Sequence, residues 1–398
     1  MKKLLFVTPG KLPVPALKGG AVETLIEMLL TENENEGCFE IDIFTLWDQK
    51  MKTIKYHYSK LIPVKSSPLI NLLDKLYFLY WEKIKGDWRA TFHRNHFRDS
   101  LYKKRLKNIL LKNEYDDIIV ENNMSLLECI YKTIGKEKFS TVCNYHMHSV
   151  FIDNPDMIFY LSACKQIITV SDFVRKSMID DYAEFADVKF AVLLNTIDVS
   201  KFDEISLPSL RNKMRLSFNI GEKTFVFLYS GRLSTEKGVK ELIAAFETLN
   251  CKSAKLIIAG GSYSGDKAIS EYEAKLKKHC IENNLNVDFI GFVENNDMIK
   301  IYALADVLVI PSIAKEAGSL TAIEGMHLGI PMIVSETGSL PEYLKDYPIY
   351  AKPGDDFINN LRVAMEKSLI DNNLKSKFPP KKVQGNSWFF TQFKKIID

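Results

Sequence analysis

The sequence predicts an α/β protein built of two consecutive doubly wound units, and three observations carry that reading. Its 398 residues exceed one ordinary domain of roughly 100–200 residues. Short apolar runs alternate with amphipathic helical stretches through both halves. A polar, proline-bearing stretch at 195–222 separates the halves and reads as a hinge or, for some of its length, as the first helix of the second unit.

The elements follow in order. Leu4-Leu5-Phe6-Val7 reads as a fully buried strand, because Pro9-Gly10 ends the run too early for a secretory signal. Further strand runs lie at 39–46, 117–121, 140–146, 166–170 and 190–194, with helical patterns at 22–30 and 173–181. The second half repeats the theme, with strand runs at 224–230, 255–259, 287–290, 307–310, 331–334 and 348–351, and helices at 239–249, 270–283 and 320–328. In open parallel sheets ligands bind outside the carboxyl ends of the strands, so the loops after strands are the first place to look for chemistry.

Composition narrows the class. With 46% hydrophobic and 26% charged residues, and 53 Lys+Arg against 50 Asp+Glu, the chain reads as globular and carries no global basic charge for nucleic acid. No apolar run of about 18 residues occurs, so no membrane-spanning helix is expected. Cys38, Cys129, Cys143, Cys164, Cys251 and Cys280 show no zinc-like spacing and read as thiols of a reducing compartment, which favours the cytoplasm.

Residues 71–112 depart from the pattern, with eleven Lys/Arg against four Asp/Glu, a local +7 that leaves −4 elsewhere. Tyr77, Phe78, Tyr80, Trp81, Trp88, Phe92, Phe97 and Tyr102 are interleaved, with apolar positions at Leu72, Leu76, Leu79 and Ile84 at helical spacing. Such a helix can rest on an anionic bilayer. Alternatively it is an insertion whose aromatic face is core and whose lysines are solvated.

Two loops carry the strongest chemistry. Gly231-Arg232-Leu233-Ser234-Thr235-Glu236-Lys237-Gly238 follows a strand and precedes a helix, bringing Arg232 and Lys237 beside a helix N-terminus as a diphosphate clamp. A solvated surface loop would look much the same. Glu316-Ala317-Gly318-Ser319-Leu320-Thr321-Ala322-Ile323-Glu324 follows the strand run ending at Ile310. If the helix begins near Ser319, the N–H groups at Ser319 and Leu320 can hold a phosphate, while Glu316 and Glu324 accept hydroxyls. The alternative is two unrelated acidic residues.

These loops, with Gly329-Ile330-Pro331-Met332-Ile333-Val334 and Gly338-Ser339-Leu340-Pro341-Glu342, resemble the family 4 retaining glycosyltransferases, which show G-R-x4-K-G, E-x7-E, G-x-P-V-I and G-G-x-P-E in this order. Gly19-Gly20, Val170-Ser171-Asp172-Phe173-Val174, Asn195-Thr196-Ile197-Asp198 and Ser387-Trp388 extend the resemblance along nearly the whole chain. It implies two Rossmann-like domains facing each other across a cleft (GT-B type). Residues 1–200 would form the acceptor side, with helix 384–398 crossing back to it, and residues 201–383 the donor side.

By that resemblance Glu316 would contact the donor sugar and Glu324 the ribose. Arg232, Lys237 and the backbone of Ser319 and Leu320 would neutralise the diphosphate, and Gly19 and Gly20, counted with the donor-binding residues, would let the backbone approach the diphosphate or the acceptor. No D-x-D occurs, which fits transfer without a metal, and no cofactor is implied beyond a nucleotide-sugar co-substrate, with a UDP-sugar expected. A histidine near the reacting sugar is implied at Tyr145-His146-Met147-His148. His148 is favoured because Ser149 follows it, and His146 stays open. Neither makes a metal site without a third ligand.

Departures from the family pattern are Gly318-Ser319 for the usual F-G, Glu324-Gly325-Met326 for E-A-M, Ser339 for a glycine, and Thr196 for the glycine of N-G. The expected activity is retaining transfer of a hexose to a glycan or lipid-linked acceptor in bacterial surface polysaccharide synthesis. The enzyme would be cytoplasmic and peripheral on the inner face of the membrane through 71–112. The competing reading is a silent sugar-nucleotide-binding homologue or a partner subunit of another transferase. Nucleic acid is not an expected partner.

Overall fold

The run 4–7 forms the centre of β1 (Lys2–Val7), with Leu4, Leu5, Phe6 and Val7 fully buried, as a strand covered on both faces requires. The computed structural model describes residues 1–84, 95–152, 154–203, 207–261 and 269–398. It divides into one unit of Met1–Thr169, Met178–Val192 and Phe393–Asp398, and another of Val170–Ser177 and Leu193–Gln392.

The first unit adds β2 (Phe39–Leu46), β3 (Ser59–Val64), β4 (Asp117–Glu121), β5 (Cys143–Met147), β6 (Gln166–Thr169) and β7 (Phe190–Val192). Their order is β3-β2-β1-β4-β5-β6-β7, all parallel, so the winding reverses between β1 and β4. Two details differ from the sequence reading. β3 was not foreseen, because Lys60 and Pro63 break its apolar run; it pairs only with β2, and an edge strand tolerates a residue lacking an N–H. The strand expected at 140–146 begins at Cys143, since Lys136–Val142 is helical.

The second unit contains β8 (Phe225–Ser230), β9 (Ala254–Ala259), β10 (Val287–Gly291), β11 (Val307–Ile310), β12 (Met332–Ser335) and β13 (Ile349–Ala351). All pair in parallel in the order β10-β9-β8-β11-β12-β13, with the reversal between β8 and β11. The helix Leu207–Ser217 belongs to this unit. Arg211 and Arg215 grip the Asp306 carboxylate at 2.5 and 2.6 Å, and Asp306 also accepts from Val226 N at 2.9 Å. That network ties the helix to the starts of β8 and β11.

In the basic stretch, Ser67 and Pro68 start the helix Pro68–Leu79, with Ser67 Oγ accepting from Ile70 N at 3.3 Å. Asp74 accepts from Phe97 N and Arg98 N at 2.7 and 3.2 Å and so holds the start of the helix His96–Leu110. Tyr77 packs on His96, Phe97 and Trp81 and is half-buried, as Phe97 and Trp81 are, while Tyr102 is buried. Leu69, Leu72 and Leu76 instead stand 51–64% exposed, with Leu73 and Tyr80 beside them. Trp88 and Phe92 lie outside the described residues. Among those described, no helix is long and apolar enough to cross a membrane, and the six cysteines are free.

Candidate active site

In the second unit the two motif loops leave the carboxyl ends of adjacent strands at the point of reversal, where an open parallel sheet leaves a crevice. Their approach depends on Gly238, at φ +67, where a Cβ would stand 1.8 Å from Pro311 O. Glu236 O accepts from both Ile313 N and Ala314 N, at 2.9 and 3.1 Å, joining the loops along their backbones. Lys237 Nζ thereby reaches Glu316 Oε1 at 2.6 Å, and Ser312 Oγ donates to the same oxygen. Gly338 packs over the other side, where a Cβ would lie 2.2 Å from Glu316 O, and Ser339 N donates to that carbonyl at 2.8 Å. The glycine kept at 338 is thus the sterically required member of the expected pair.

The helix Leu320–His327 begins where the sequence places it, with Ser319 as N-cap accepting from Ala322 N at 3.4 Å. Its first turn directs N–H groups away from the helix, a partial positive charge suited to a phosphate. Arg232 is mostly exposed and approaches Glu236 at 3.8 Å, so Lys237 and Glu316 are in contact while Arg232 shares only their loop. Glu324 accepts from Tyr302 Oη, and burial pushes its carboxyl up to about 7. Asn195 Nδ2 donates to Gly318 O at 3.2 Å, and Thr196 Oγ1 donates to Gln384 O, so the threonine of the altered turn is engaged by its hydroxyl. Glu342 accepts from Asp172 N and Phe173 N at 2.9 Å each, joining two of the motif segments as a helix cap.

In the first unit, β4 ends at Glu121, which pairs in register with His146 of β5. His146 and His148 are two residues apart and share a face. His146 Nδ1 and His148 Nε2 lie 3.0 and 2.7 Å from Glu121 Oε2 and 3.1 Å from each other. Burial alone would raise the Glu121 carboxyl, but the two imidazoles outweigh it and hold the group at about 2. Burial and the neighbouring His146 push His148 down to about 4 against the pull of Glu121.

Gly19 and Gly20 stand at φ +71 and +105 just before the helix Ala21–Glu36. A Cβ on Gly20 would meet Glu23 Oε2 at 2.2 Å. Glu23 is buried, and burial, with Glu121 adding repulsion, raises its carboxyl to about 7. The sequence reading missed Glu23, Glu121, Ser312 and Tyr302. Glu121 was accessible to it as the single charged residue closing a strand run, at the end of the strand where chemistry gathers.

The family described as "Glycosyl transferases group 1" matches residues 211–378. The chain is 23% identical over 391 residues to a protein named "Putative glycosyltransferase YtcC" of Bacillus subtilis, covering 94% of this chain and 85% of that one. It is 28% identical over 278 residues to lipopolysaccharide 1,2-N-acetylglucosaminetransferase of Salmonella typhimurium, covering 66% and 68%. Among solved structures, Anabaena HepE in complex with UDP and glucose is similar at a TM-score of 0.69 and 18% identity, over 100% of this chain and 99% of that one. The two parallel α/β units and these likenesses together support a glycosyltransferase of GT-B architecture.

Proposed function

We propose that the protein is a family 4 retaining glycosyltransferase that moves a hexose from a UDP-sugar to an acceptor hydroxyl without a metal ion or cofactor taking part in the transfer. The observation that carries this reading is the Lys237–Glu316 contact at the reversal point of the second sheet, beside the N-terminus of Leu320–His327. Lys237, Arg232 and the N–H groups at Ser319 and Leu320 meet the diphosphate, whose charge grows as the sugar–phosphate bond breaks. Glu316 takes sugar hydroxyls, held in place by Ser312 and Gly338, and Glu324 takes the ribose.

The acceptor is assigned to the first unit, at the strand ends bearing His148 and His146 and at Gly19-Gly20 before the helix Ala21–Glu36. Its oxygen bonds to the anomeric carbon on the face the leaving group vacates, and its proton passes to the departing phosphate oxygen. The net products are glycosylated acceptor and UDP. UDP in the HepE complex supports the choice of base, and the lipopolysaccharide transferase supports a lipid-linked or membrane-proximal acceptor of bacterial surface polysaccharide. The exposed Leu69, Leu72 and Leu76, at the start of the +7 stretch 71–112 and just before it, support a cytoplasmic enzyme resting on the inner membrane face.

UDP release from a panel of UDP-sugars, with product anomers read by NMR, tests the proposal. Lys237→Ala and Glu316→Gln should each lower kcat by about 100-fold or more. Turnover at the wild-type rate in both, or an inverted anomer, refutes it.

A further inference from the structure

The first unit holds a cluster in which Glu121, to which the transfer reading gives no role, joins both histidines. Glu121 and His146 face one another across the β4–β5 pairing, and His148 follows on the same face of the chain. His146 Nδ1, His148 Nε2 and Glu121 Oε2 form a triangle with sides of 2.7, 3.0 and 3.1 Å. Nitrogen and oxygen ligands about 2.0–2.2 Å from a tetrahedral zinc ion stand about 3.3–3.5 Å apart, so side-chain openings of about 0.2–0.8 Å convert this triangle into one face of a coordination sphere. Two imidazoles and one carboxylate suit zinc, cobalt or nickel better than the harder magnesium or calcium.

A second observation points the same way. Glu121 is fully buried, and its Oε1 has no hydrogen-bond partner; His146 is 2% exposed, and its Nε2 also has none. A buried carboxylate is expensive when one of its oxygens is left without a partner, and a cation that Glu121 holds through both oxygens would give Oε1 a ligand; His146 Nε2, on the far side of its ring from Nδ1, stays outside the triangle. The backbone is fixed for the purpose: Asn122 N donates to His146 O at 2.9 Å, and His148 N donates to Asn122 Oδ1 at 3.1 Å. Ligand positions set by a strand pair and its closing hydrogen bonds are preorganised, which is what a selective metal site requires.

We propose that Glu121, His146 and His148 bind a single divalent transition-metal cation, zinc by preference. Three protein ligands leave a coordination position for water or another oxygen ligand. The site lies in the other unit from the Lys237–Glu316 pair and does not rest on the transfer reading.

The test uses the full chain, stripped by a chelator and dialysed. Zinc titration by calorimetry should give one equivalent, and the cobalt derivative should show visible absorption of a low-coordinate site. X-ray absorption of the zinc-loaded wild type should show two imidazoles and no sulfur. His148→Gln should weaken binding by at least about tenfold, Glu121→Gln likewise, and His279→Ala on the surface should leave it unchanged. Far-UV circular dichroism confirms that each variant is folded. Absence of saturable zinc binding, sulfur in the coordination sphere, or wild-type affinity in folded His148→Gln overturns the proposal. If Glu121→Gln fails to fold, His148→Gln and the wild-type spectrum decide.

Discussion

Glu324→Gln gives the sharpest test of the donor-side electrostatics. The carboxyl lies against the buried Tyr302, and burial raises it from 4.5 to about 7. Below pH 4.5 it is protonated folded or unfolded, so the group has no effect on stability there. Between pH 4.5 and 7 the unfolded chain releases the proton while the folded chain keeps it, so wild-type stability falls as pH rises. Above 7 both states are ionised and the penalty is complete. A shift of that size corresponds to a ceiling of about 3 kcal/mol, at 1.36 kcal/mol per unit. Glutamine keeps an oxygen to accept from Tyr302 and has no proton to lose. Urea unfolding of both proteins at pH 5, 6, 7 and 8 should therefore show the variant gaining on the wild type progressively, with the gain levelling above pH 7. A difference that stays flat from pH 5 to 8 refutes the assignment of a burial-raised carboxyl.

Other predictions follow from the same geometry. Gly238→Ala should abolish measurable transfer and destabilise the second unit well beyond the roughly 1–2 kcal/mol of its left-handed backbone, because the new Cβ collides with Pro311 O; Gly135→Ala, with open space around the new Cβ, should cost only the strain of its own glycine-type backbone (φ 80, ψ 161) and leave turnover intact, as unfolding curves and UDP release will read. Glu23→Gln in the first unit should gain stability over the same window as Glu324→Gln, since its carboxyl also rises to about 7, with denaturant titration against pH as the check. Serine at Leu69, Leu72 and Leu76 together should weaken flotation with anionic liposomes by more than about tenfold while leaving the unfolding midpoint within a few degrees, because these side chains are already exposed.

The fold was legible because its strands are buried on both faces. β1, β4 and β11 read directly as short β-branched or leucine-rich runs closed by turn residues, and the helix Val239–Leu249 was located to the residue by its apolar periodicity and the glycine before it. The failures have local causes. β3 lies at a sheet edge, where the requirement for an unbroken apolar run lapses and Lys60 and Pro63 are tolerated. At 140–142 the pattern continued past a boundary that only the helix Lys136–Val142 reveals. The basic stretch divided between its two readings: Tyr102, Leu106 and Leu110 are core and Tyr77, Trp81 and Phe97 are half-buried, whereas Leu72, Leu76 and Tyr80 face outward.

The site was legible to the extent that its chemistry sits next to a strand end in the sequence. Lys237 and Glu316 are 79 residues apart, yet each follows the carboxyl end of a strand, and the parallel pairing of β8 with β11 brings them to 2.6 Å. Glu121 obeyed the same rule and was missed because it closes an apolar run that explains itself as core. The sequence shows which residues can carry charge, but partners decide what that charge does. Glu23 and Glu324 are buried without a cation bonded to them and hold their protons to about 7. Glu121, more deeply buried than either, is held at about 2 because two imidazoles reach one of its oxygens. The same residue type therefore supplies a neutral donor in one place and a fixed anion in another, and the difference arises from strand pairings between segments 25 residues or more apart. For that reason the third ligand that the two histidines lacked in the sequence appears only once β4 and β5 lie side by side.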